Sequence, residues 1–149
     1  MKPRTQFYII ICLLILGFGM AWFVFSTQAD GPAPSFPATA NRDCAPWDGS
    51  AFTVSIPMSD GSILSISIYR SPDIKLPASF SFPDETGGIG SASLLLPAGT
   101  PEQLTGKVTF RRVEQGVPVE GEFEFLSETG GQFKGRFKAE WENQPVYCG

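Results

Sequence analysis

From Ala51 onward the chain alternates apolar and polar residues with a period of two, and Gly, Pro and Asp interrupt the alternation. No stretch sustains the spacing of an amphipathic helix. The pattern predicts about seven short strands, near 51–57, 63–70, 78–82, 91–96, 106–113, 119–126 and 132–141. The one helical signal is Thr100-Pro101-Glu102-Gln103-Leu104. Thr100 is suited to cap, Pro101 to the first helical position and Gln103 to the reciprocal cap, so a single turn is expected there.

Parity sets two registers. In the first hairpin, Phe52, Val54 and Ile56 alternate with Thr53 and Ser55, and Leu64, Ile66 and Ile68 with Ser65 and Ser67. A two-residue loop at Asp60-Gly61 would set the apolar faces in conflict. A three-residue loop, Ser59-Asp60-Gly61, pairs Ile56 with Leu64 and puts Gly61 at the left-handed position.

In the C-terminal meander, Val119, Gly121, Phe123 and Phe125 face one way and Glu120, Glu122 and Glu124 the other. On the next strand, Phe133, Gly135, Phe137, Ala139 and Trp141 alternate with Lys134, Arg136, Lys138 and Glu140. A loop at Glu128-Thr129-Gly130 opposes Gly121 to Phe137, Phe123 to Gly135, and each glutamate to a cation. A phenylalanine is expected to cover each glycine. A turn at Gln115-Gly116 opposes Phe110 to Gly121, Val108 to Phe123, Lys107 to Glu124 and Arg111 to Glu120. Arg112 is inward by the same parity and is expected to snorkel out at the sheet end. Leu94-Leu95-Leu96 lacks alternation, which suggests a strand buried on both sides.

An all-β antiparallel sandwich of two opposed apolar faces is the fold these strands favour, with a small barrel as the alternative.

The N-terminus changes the setting. Phe7–Phe25 is 19 consecutive apolar or glycine residues behind Lys2 and Arg4. At about 1.5 Å per residue this nearly spans a hydrocarbon core. A retained signal-anchor is favoured over a signal peptide cleaved after Thr27-Gln28-Ala29, because the run is long for a signal. Residues 1–29 are thus the targeting segment, and 30–43 read as an unpaired Pro/Ala-rich linker. Residues 44–149 are the β domain. The membrane partner is engaged through residues 7–25, and the basic start holds the N-terminus inside. The domain is then expected outside the cytosol, or secreted or periplasmic after cleavage.

The chain of 149 residues contains no histidine and three cysteines. Histidine-based catalysis or metal ligation is therefore excluded. Nine basic and fifteen acidic residues follow Ala29, a net charge of −6, which argues against a nucleic-acid partner. Cys12 lies in the apolar run as a free thiol. Cys44 and Cys148 bracket the domain and are expected to form one disulfide outside the cytosol.

No catalytic constellation stands out. The Glu120/Glu122/Glu124 row has the carboxylate spacing of inverting glycosidases. Basic neighbours would hold such acids ionised, and a surface ladder is the better reading. Asp84-Glu85-Thr86-Gly87-Gly88 lacks the calcium-loop pattern and reads as a loop tip. Trp47, in Cys44-Ala45-Pro46-Trp47-Asp48-Gly49, is expected to plug one end of the core. The alternative makes it an exposed contact for a sugar or peptide. Trp47, Asp84 and Glu85 are the candidate ligand contacts. No catalytic residue, cofactor or metal is assigned.

The function favoured is a non-enzymatic, envelope-associated binding or scaffolding domain whose partner is an envelope protein or glycan. The rivals are a small carboxylate-based hydrolase and an inhibitor presenting the loop 83–89.

Overall fold

A computed structural model describes residues 33–70, 75–142 and 145–148. Phe7–Phe25, Cys12 and the cleavage motif lie outside the described residues. Among those residues no helix is long and apolar enough to cross a membrane. Ala33–Gly149 forms one compact unit.

Its eight strands are β1 (Ser35–Cys44), β2 (Ser50–Pro57), β3 (Ile63–Ile68), β4 (Ala78–Phe82), β5 (Gly90–Leu95), β6 (Pro101–Glu114), β7 (Val117–Ser127) and β8 (Gln132–Trp141). Seven close a barrel in the order β1-β2-β3-β5-β6-β7-β8, and β4 pairs only with β6. Every pairing is antiparallel except β1 with β8. The expected sandwich is therefore corrected to its alternative, a small barrel. One long-range seam makes the difference: β8 with β1.

The expected linker is corrected as well. From Ser35 it is strand β1, paired to β2 from Thr39↔Ser55 and to β8 from Ser35↔Arg136. Phe36, Ala38 and Ala40 point inward along it, with Ala38 and Ala40 buried. The expected helical turn at Thr100–Leu104 is the start of β6. Pro101 occupies the first strand residue, a place where its missing N–H is tolerated, and pairing to Leu95 overrides the local cap.

Both registers hold. Phe52↔Ile68, Val54↔Ile66 and Ile56↔Leu64 oppose each other, and Gly61 turns at φ 82°. Gly121↔Phe137, Phe123↔Gly135 and Glu124↔Lys134 do so in the meander. The meander departs through two register shifts, a bulge in β6 after Phe110 that moves Arg112, not Arg111, opposite Glu120, and a second shift before Glu114 that restores the register. The extra residue flips parity, so Arg112 points outward and Val113 is buried. Leu94 is buried but Leu95 is exposed, so β5 buries one face rather than two.

Both predicted apolar faces enter one core. Phe110 lies near its centre, with ring centroids 5.4 Å from Phe52, 5.9 Å from Phe80 and 5.8 Å from Phe137. Full burial of such a side chain contributes roughly 1.5–3 kcal/mol. Trp141 is half-buried at the core edge and donates its indole N–H to the Glu114 carbonyl at 2.8 Å.

Candidate functional site

Cys44 and Cys148 are disulfide-bonded, with Cα atoms 5.6 Å apart. The bond fixes the base of the loop joining β1 to β2. Within it, the Ala45 amide donates to the Gly49 carbonyl at 2.7 Å and the Asp48 amide to the Ala45 carbonyl at 2.9 Å. Asp48 takes a left-handed φ of 61°, which asparagine and aspartate tolerate better than most residues.

This tight loop lifts Trp47 out of the core. The side chain is 56% exposed, so the expected core plug is corrected to the alternative placement. Instead the indole lies over Gly49, where a Cβ would stand 2.8 Å from its Nε1. It meets Tyr69 edge-on at 5.6 Å. Tyr69 was legible only as the end of a strand, with nothing to mark it as Trp47's neighbour. Beside the disulfide, Tyr147 is 90% exposed. Its adjacency to Cys148 in sequence was the available signal.

Tyr69 also links this end to the loop between β4 and β5, because its amide donates to the Ile89 carbonyl at 2.9 Å. Asp84 organises that loop from within. Its carboxylate accepts from the Thr86 hydroxyl at 2.7 Å and from the amides of Gly88 and Ile89 at 2.9 and 3.0 Å. The Thr86 hydroxyl first, aided by the backbone amides and opposed by desolvation, holds the Asp84 carboxyl below the usual carboxylate range. Asp84 is thus occupied as a loop brace, and Glu85 is the exposed tip.

The outer face of β6, β7 and β8 carries the charge ladder. Arg111 pairs with Glu122 at 2.8 Å and Arg112 with Glu120 at 3.4 Å, all well exposed. Glu122 and Glu124 line a groove of about 240 Å³ with Lys107 and Lys134. A larger groove of about 560 Å³ adjoins it, walled by Phe82, Gly106, Phe125 and Phe133. Gly106 opens that wall, since a Cβ there would collide with the Glu124 carbonyl. Among the described residues no three His, Cys, Asp or Glu side chains converge as a metal set.

No protein-family model, curated protein or solved structure matches this chain.

Proposed function

We propose that the protein is a non-catalytic binding module held at a membrane by its N-terminal apolar segment. It contacts its ligand, an envelope glycan or peptide, through Trp47. The observation that carries this reading is the exposed indole on a disulfide-braced loop. A large aromatic held in water by a rigid loop offers apolar area at little entropic cost to binding. The intramolecular disulfide favours an oxidising compartment outside the cytosol. The ion pairing of Glu120 and Glu122 supports a surface ladder for those acids rather than acid catalysis.

The test is titration of the oxidised protein with envelope-derived oligosaccharides and peptides, followed by indole emission. A saturable change is expected, lost in Trp47→Phe while the melting temperature stays unchanged. Ligand binding that survives Trp47→Ala at full affinity would overturn the assignment.

A further inference from the structure

The barrel surface has two unlike halves. The charged half is the outer face of β6–β8. Across β1 as far as Asn41, β2, β3, β5 and the start of β6, the outward residues form rows without an ionisable side chain; Asp43, the next outward residue of β1, accepts from the Thr53 hydroxyl at 3.0 Å. One row is Thr39–Ser55–Ser65–Ser93–Gln103, and the next is Asn41–Thr53–Ser67–Ser91.

Below them, at the end of the barrel where β1 begins, the row becomes apolar. Pro57 opposes Ile63, Ile63 opposes Leu95, and Leu95 opposes Pro101. Pro37 holds the next position of this register on β1, two residues before Thr39. All five are exposed, Ile63 by 38% and Leu95 by 41%. Five adjacent strands thus carry a continuous exposed apolar row at one level, bordered along the strands by hydroxyls and amides and, beside Pro37, by Lys138 of β8.

The chain itself indicates what covers this row. The segment preceding Ser35 departs from the same end of the barrel, and only residues 26–34 separate β1 from the apolar run ending at Phe25. Nine residues reach at most about 30 Å when fully extended. This end of the barrel therefore cannot stray far from wherever that run is lodged. Rows repeat about every 7 Å along a strand, so the surface stays uncharged through the apolar row and two rows above it. Shallow immersion on this side desolvates no charged row. Asp60, at the nearby loop tip, accepts on Oδ1 from the Ser62 amide and hydroxyl at 2.9 and 2.6 Å.

We infer that the Pro37–Pro57–Ile63–Leu95–Pro101 row rests in the phospholipid interface of the bilayer that holds the N-terminal run, leaving Trp47 at the far end facing away from the membrane. The inference rests on the proposed membrane tether. It adds a second, peripheral contact that fixes the orientation of the barrel.

The test uses the full chain carrying Cys12→Ala, reconstituted in phosphatidylcholine vesicles with and without lipid bearing a headgroup nitroxide. One version carries a small polarity-sensitive fluorophore at Leu95→Cys. A second carries it at Gln115→Cys, in the β6–β7 turn at the opposite end. Formation of the Cys44–Cys148 bond verifies folding of both. The expected result is a blue shift with strong nitroxide quenching at position 95 and neither effect at 115. Vesicle flotation with no quenching at 95, or equal quenching at both positions, overturns the orientation while leaving the tether standing. A blue shift at 95 without quenching means that protein, such as a second copy, covers the row, and also overturns it. Failure of the chain to float with the vesicles overturns the tether and the orientation together.

Discussion

Gly121 shows how narrowly one residue can be specified. A Cβ built there would lie 2.6 Å from the Phe137 ring and 2.8 Å from the Thr109 carbonyl. The ring can shift, but the backbone carbonyl cannot. Gly121→Val is therefore expected to lose about 1–3 kcal/mol, at the upper end of that range. Its neighbour is the contrast. Glu122→Gln removes an exposed ion pair and is expected to lose no more than about 1 kcal/mol, less in high salt. Urea unfolding of both variants at low and high salt checks the order, and a milder Gly121→Val would refute the packing account.

Gly121 was legible because a phenylalanine stood at the matching position of the next strand. Gly135 was legible only in part, since Phe36 of the unrecognised β1 lies closest over it. Trp47 was expected at the core end and stands exposed: one aromatic among Cys, Pro and Gly has no period to give it a side.

At the scale of elements, β1 was hidden by its composition. Ser35–Asn41 reads SFPATAN, whose inward residues are one phenylalanine and two alanines, too weak an alternation to outweigh its proline. The strand exists because neighbours on both sides claim it. A chain beginning at Ala33 is expected to unfold cooperatively. One beginning at Asn41 loses Phe36, Ala38, Ala40 and every rung of the β8 pairing. It should be less stable by at least about 3 kcal/mol, the scale of truncating a core aromatic. Equal urea midpoints for the two would show that β1 contributes little. The β6 bulge marks the other limit of parity. One extra residue reverses the sides of Arg112 and Val113 at the end of β6, and the run Phe110-Arg111-Arg112-Val113 carries no glycine to announce it.

For the whole molecule, local patterns could identify most strands and several hairpins but not closure. The same two apolar faces suit a sandwich or a barrel. The choice depends on β1 meeting β8, a pairing between opposite ends of the domain that no local period reports. The disulfide joins those same ends, its cysteines separated by 104 positions in sequence. On the chain-entropy account such a loop contributes roughly 4–5 kcal/mol. Cys148→Ser should therefore lower the urea midpoint substantially, to the same value as reduction of the native protein. A loss below about 1 kcal/mol would show that the barrel holds its ends together unaided.

The parallel seam also imposes an order in time. A chain emerging N-terminus first offers β1 early and its partner β8 last. β2 can shelter one edge of β1 at once. The other edge waits for nearly the entire domain, a delay that slows folding and leaves a strand open to wrong partners. Cys44 waits with it, because Cys148 follows β8 in the chain. Oxidation of this pair is thus a completion mark for the barrel: until Cys148 has been made, Cys44 has no partner within the β domain.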